Sequence, residues 1–96
     1  MLISKGATVG EVVTLKLVTG EEIIGKLGED GAAYYLIEKP LTLVAGPKGL
    51  GLQPWLFTVD AEKSIKFPKD KVMACEATME EMAKNYLQGT TGIALA

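Results

Sequence analysis

Three groups of residues in this chain have the types and spacing that chemistry requires: adjacent carboxylates, adjacent tyrosines and a lysine-flanked loop. Glu21-Glu22 and Glu80-Glu81 are the paired carboxylates. General acid–base work needs a partner group, and the chain has no histidine, the commonest base and transition-metal ligand. A turn and a helix start account for both pairs. Cys75 is the single cysteine; it lies in the apolar run Val72-Met73-Ala74-Cys75 and reads as a buried structural thiol. Gly46-Pro47-Lys48-Gly49-Leu50-Gly51 lacks the Gly-Lys-Ser/Thr ending of a phosphate-binding loop and reads as a mobile loop. This set leads us to expect no catalysis, no metal and no cofactor.

Binding is the chemistry that remains. Tyr34 and Tyr35 follow the turn Gly28-Glu29-Asp30-Gly31 and, by the period of two in a strand, point to opposite faces. One of them can offer a ring to a nucleobase, a contact worth about 1–3 kcal/mol. The other reading is two wall tyrosines whose hydroxyls find ordinary partners. Lys69 and Lys71 flank Asp70 in a tight connection; in one copy they are solvated, but repeated around a ring they would build an anion site. All ten basic residues are lysine, so no guanidinium fork grips phosphate or guanine with two bonds. The net charge of −2 gives no overall pull toward nucleic acid or anionic lipid.

The elements that must position these residues are short. A chain of 96 residues, 48% apolar and 23% charged, makes one domain over residues 1–96 and buries a core without metal or disulfide staples. No apolar run approaches a membrane span and the amino terminus lacks a signal-peptide pattern, so a cytosolic setting is expected. Apolar and β-branched residues predict strands over Glu11–Val18, Glu22–Leu27, Ala32–Ala45, Gln53–Val59, Ser64–Phe67 and Lys71–Ala77. In the fourth of these, Trp55 and Phe57 would share a face, with Trp55 assigned either to the core or to an interface. Pro40 inside the long third strand calls for an edge position or a bulge.

Thr78-Met79-Glu80-Glu81 then reads as a capping box opening a helix over Met79–Gln88. Met79, Met82, Ala83, Tyr86 and Leu87 fall on its apolar face, Gly89 is its stop, and the tail beyond is read as loose. Gly20 suits the turn Thr19-Gly20-Glu21. Gly25 sits in mid-strand, where glycine costs roughly 0.5–1 kcal/mol. A small barrel must bend its strands sharply, and a mid-strand glycine permits the bend. The fold class expected is therefore mainly β: a small, strongly bent, open β-barrel with a carboxy-terminal α-helix, the barrel over about Glu11–Glu76.

Gly20 and Gly25, with Val13, Leu15 and Leu17 before them and Leu27 after, form a pattern that resembles the first motif of the Sm/LSm family, which includes bacterial Hfq. With a one-residue deletion, Asp30 falls on the family's aspartate, and Tyr34 to Glu38 covers the segment after its loop. Ile65 to Val72 resembles the second motif. The match spans Glu11 to Glu76 and implies a five-stranded open barrel, a homo-oligomeric ring of about five to seven subunits, and single-stranded RNA bound near the pore by Asp30, Tyr34, Lys69 and Lys71. Departures fall at that RNA site: Tyr34 replaces an asparagine, Ala32 a stacking residue, and Lys69-Asp70 an Arg-Gly pair. The helix also follows the barrel rather than preceding it, and together with the added Gln53–Asp60 segment this is more similar to Sm-like proteins of tailed-phage and environmental origin. Two other readings stand beside RNA binding: a structural or scaffolding ring, for example in a phage particle, and a monomeric barrel of the Src-homology type that binds a peptide.

Overall fold

The computed structural model describes residues 7–47 and 49–90. Alternation in Val12–Leu17 forms β1, with Val13, Leu15 and Leu17 buried on one face. A turn closed by the Gly20 amide on the Leu17 carbonyl at 2.9 Å leads into β2 (Glu22–Asp30). Gly20 has φ +101°, a conformation that glycine alone adopts without strain, so its assignment to the turn holds. There follow β3 (Tyr34–Gly46), β4 (Gly49–Pro54), β5 (Ser64–Pro68), a 3-10 turn (Lys69–Lys71), β6 (Val72–Ala77) and α1 (Glu80–Thr90).

The fold is mainly β, one antiparallel sheet in the order β4-β3-β2-β1-β6 with β5 also paired to β3. Strands along the sheet share one core. Phe67 on β5 and Cys75 on β6 pack against the cluster of Val13, Leu15, Leu17, Ile23, Leu27 and Ile37. Three bulges interrupt the sheet's ladders, and an extra residue on one strand bends the pair and raises its twist. Lys39 and Pro40 on β3 stand against Gly25 alone on β2; Gly28 is the extra residue on β2, and Met73 the extra residue on β6. Pro40 is thus at a bulge, as its missing donor requires.

Gly25 is forced by close approach. A Cβ there would lie 2.3 Å from Ile37 Cγ2 and 2.9 Å from the Glu38 carbonyl oxygen. The bulged part of β3 crosses directly over it, so the bend and the missing side chain have one cause.

The long β3 is paired on its outer side by two strands in succession, β5 along Tyr34–Glu38 and β4 along Leu41–Gly46. This corrects the expected fourth strand. Where a loop was expected, Gly46 pairs with Gly49, whose φ is +114°, so β3 and β4 form a hairpin; Lys48 lies outside the described residues. The ladder ends at Pro54, where Trp55 and Phe57 were expected to share a strand face. Pro54 has no N–H to donate, and beyond its partner Leu41 the Lys39-Pro40 bulge breaks the register, the Lys39 amide going to the Lys63 carbonyl at 3.3 Å instead. Residues 55–63 therefore leave the sheet in a turn-rich excursion, closed by the Glu62 amide on Asp60 Oδ1 at 2.9 Å and the Lys39–Glu62 ion pair at 3.4 Å.

The helix is present, though its cap differs from expectation. Thr78 pairs its hydroxyl with that of Thr14 at 2.8 Å and its amide with the Val12 carbonyl at 3.0 Å, so the strand below takes the groups that a capping box would use. The helix also runs through Gly89 to Thr90, and the tail Thr91–Ala96 lies outside the described residues. Of the expected apolar face, Tyr86 is buried on Ile24 and Leu41 with Met82 half-buried beside it, while Met79 and Leu87 are exposed. This second, smaller core holds α1 on the face of the sheet opposite the main cluster. Among the described residues no helix is long and apolar enough to cross a membrane.

Candidate nucleic-acid interface

The β2–β3 hairpin and the 3-10 turn after β5 meet at one end of the sheet. Pairing sets the meeting point: Tyr34 faces Pro68 and Tyr35 faces Phe67 across β3 and β5, while Asp30 faces Tyr35 across β2 and β3. The Gly31 amide donates to the Tyr34 carbonyl at 2.9 Å and the Lys69 amide to the Ala33 carbonyl at 2.8 Å, tying hairpin and turn together.

Of the four residues expected to bind RNA, two, Asp30 and Lys69, are in direct contact here, while Tyr34 meets Glu29 and Lys66 instead. Lys69 Nζ lies 2.6 Å from Asp30 Oδ1 and 4.7 Å from the centre of the Tyr35 ring. The Asp30 hydrogen bond raises the Lys69 ammonium above its ordinary pKa. Tyr34 donates its hydroxyl to Glu29 Oε1 at 2.6 Å, and that bond, with the Glu29 charge, raises the phenol. A side chain at Gly31 would come within 2.7 Å of the Tyr34 ring, so this ring lies close on bare backbone. Lys71, the fourth, is on the same turn and exposed; its carbonyl accepts from the Val18 amide at 2.9 Å and its ammonium makes no ion pair among the described residues.

Two contributors, Lys66 and Glu29, were not expected. Lys66 Nζ lies 4.8 Å from the centre of the Tyr34 ring, a cation–π contact set by the β3–β5 register. Glu29 holds Tyr34, and Tyr35 packs on the core while Lys69 covers its ring. Alternation in Ser64–Phe67 marks Lys66 as outward-facing, but only the register shows which tyrosine it meets.

Charge is balanced at this end: Lys66, Lys69 and Lys71 stand against Glu29, Asp30 and Asp70. An anion arriving here meets aromatic surface and ammonium groups, but must compete with carboxylates already in contact with two of the cationic or donor groups. No family model and no curated protein matches the chain. The function must therefore be argued from these contacts. Below the site, Cys75 sits half-buried against the core, and burial together with the charges of Asp30 and Glu76 pushes its thiol up to about 11. Such a thiol stays protonated and unreactive at neutral pH. Among the described residues no group of histidine, cysteine, aspartate and glutamate is arranged to hold a metal ion.

Proposed function

We propose that this chain is a non-enzymatic Sm-like protein: a small, strongly bent, five-stranded open barrel whose fourth strand is interrupted into β4 and β5, assembling into a homo-oligomeric ring of about five to seven subunits. The observation that carries the proposal is the pair of unpaired strand edges at the two ends of one sheet. β6 is terminal on one side, β4 and β5 are outermost on the other, and Met73 on β6 is 70% exposed. An open edge is a template for another chain, and a ring that joins opposite edges leaves none over. Light scattering on the purified protein is expected to give a discrete species of about five to seven subunits at micromolar concentration; a monomer would overturn the assembly.

The ring reading also implies a ligand. Each subunit would present Tyr34, Lys66, Lys69 and Lys71 toward the pore, and repetition turns a locally neutral patch into a ring of ammonium groups interleaved with tyrosines. We propose weak, electrostatic binding of single-stranded RNA there, with little base selectivity because lysine carries charge without a fixed fork. Lys69→Ala/Lys71→Ala removes two cations per subunit and frees Asp30 to repel phosphate. Titration with short oligo(U) and oligo(A) at low salt is expected to show about tenfold weaker binding by this double variant at unchanged ring size. Tyr34→Ala is expected to weaken binding less, because Gly31 and Lys66 already crowd its ring. Binding indifferent to all three changes would move RNA elsewhere on the surface.

A specific observation favours a second reading, a scaffolding ring without nucleic acid. Lys69 and Tyr34 are each already held by a carboxylate, at 2.6 Å in both contacts. A ring that fails to bind either oligonucleotide at low salt would establish this reading over the first.

A further inference from the structure

A groove of about 540 Å³ lies apart from the tyrosine–lysine end and borders the β4 edge. The β3–β4 hairpin and the start of the excursion line one side with Val44, Leu50, Trp55 and Phe57; the turn between β1 and β2 lines the other with Glu21 and Glu22, and Lys16 is at the rim. Its volume is in the range that accommodates a small ligand or a few peptide side chains.

Two features of the groove point to its occupant. The first is uncovered apolar surface: Phe57 is 80% exposed and Leu50 65% exposed, and both border the groove. The second is a fixed anion beside an aromatic wall. Trp55 donates its indole N–H to Glu21 Oε2 at 2.9 Å, and Thr19 donates its hydroxyl to Glu21 Oε1. Those two hydrogen bonds lower the Glu21 carboxyl below its ordinary pKa, so it stays charged and aimed. Trp55 is itself steadied from behind by Phe67, with ring centres 4.7 Å apart. Glu21 and Glu22 outnumber Lys16, leaving the groove net negative.

Aromatic surface joined to an oriented carboxylate suits a cation on an aliphatic stem, since lysine and arginine bury their methylenes and keep the charge at a polar rim. Leu50 and Phe57 extend the apolar surface beyond what one such stem covers, so the occupant brings a neighbouring apolar residue as well. We propose that the groove binds a short extended segment of a partner protein that presents a lysine or arginine next to an apolar side chain, the cation at Glu21 and the apolar groups on Trp55 and Phe57.

Trp55 is the only tryptophan, so its emission reports the groove directly. The full chain is titrated with an acetylated, amidated octapeptide containing Leu-Lys-Pro-Leu, and with the same peptide carrying Gln or Glu in place of Lys. The lysine peptide is expected to change Trp55 emission saturably, with binding about fivefold weaker for the Gln peptide, as for an exposed charge contact, and no saturation for the Glu peptide. Glu21→Gln keeps an oxygen for the Trp55 N–H while removing the charge, and should weaken the lysine peptide by a similar factor with an unchanged circular dichroism spectrum. Phe57→Ala, at an exposed position, should do the same. Lys69→Ala/Lys71→Ala should have no effect, which separates this groove from the RNA reading. Equal responses to the Lys and Glu peptides, or no saturable response at millimolar peptide, would overturn the proposal. So would a concentration-dependent emission change without peptide, since a second copy would then be the occupant.

Discussion

Gly25→Ala is expected to lower the stability of the protein by about 3 kcal/mol, the upper part of the range for overpacking a close contact. The added methyl would meet Ile37 Cγ2 at 2.3 Å and the Glu38 carbonyl oxygen at 2.9 Å, with Pro40 Cα at 3.4 Å behind them. Ile37 is fully buried and cannot swing away, and the Glu38 and Pro40 atoms are backbone beside and within the bulge. Relief therefore requires moving β3 off β2 at the point where the sheet bends. A small domain has about 5–15 kcal/mol in total, so the loss should appear as a clear shift of the urea midpoint. Gly28→Ala is the control: its methyl would meet chiefly the Glu38 carboxylate at 2.9 Å, the far end of a flexible side chain, and the cost should stay under about 1 kcal/mol. Equal midpoints for Gly25→Ala and wild type would show that the strands do not cross so closely.

Tyr86→Ala is expected to cost about 4 kcal/mol, typical of truncating a buried aromatic residue. Tyr86 is 2% exposed and is the residue through which α1 enters the smaller core of Ile24 and Leu41. Its hydroxyl donates to the carbonyls of Glu38 and Lys39, both at 2.9 Å, where Lys39 is held at φ +48° in the bulge. The helix is thus pinned to the same irregular point that Gly25 makes room for. Tyr86→Phe keeps the ring and should cost about 1 kcal/mol for the lost hydrogen bonds.

The same residue sets an alkaline limit. Burial, chiefly, pushes the Tyr86 phenol from 10.0 up to about 12. A folded value above the unfolded one means that the contribution is fully present below pH 10.0 and is lost as pH rises through about 12. Cys75, raised from 9.0 to about 11, begins to lose its contribution earlier by the same sign. Urea midpoints measured from pH 8 to 12 should therefore fall on the alkaline side, and Tyr86→Phe should flatten the upper part of that fall while leaving the Cys75 part. An identical decline in both proteins would assign the effect to other groups.

Much of the architecture is written locally. The alternation of Val13, Leu15 and Leu17 fixes which face of β1 is buried, because a one-residue slip would expose the whole set. Gly20 announces its turn through a backbone angle only glycine takes freely, and Pro40 announces a bulge through the donor it lacks. The change from a period of two to a helical period after Thr78 marks α1 within a residue or two of its bounds. Asp30, Tyr34 and Lys69 could each be placed beside a tight turn from the sequence, but that Lys69 meets Asp30 while Tyr34 meets Glu29 and Lys66 could not be read from it.

What the tertiary structure decided depends on partners distant in the chain. Whether Gln53–Val59 is a strand depends on what faces it: β4 pairs with β3 only as far as Pro54 opposite Leu41, because the Lys39-Pro40 bulge then breaks the register and the Lys39 amide goes to the Lys63 carbonyl. Thr78 has the side chain of a helix cap, yet Thr14, 64 residues earlier, takes its hydroxyl. Lys69 reads as a free cation until the β2–β3 hairpin brings Asp30 to 2.6 Å. The physical reason is common to all three. Hydrophobic period, turn angles and proline's missing donor act within a few residues and are fixed by residue type, whereas hydrogen bonds and ion pairs go to whichever group the register delivers, and register is a property of the folded sheet.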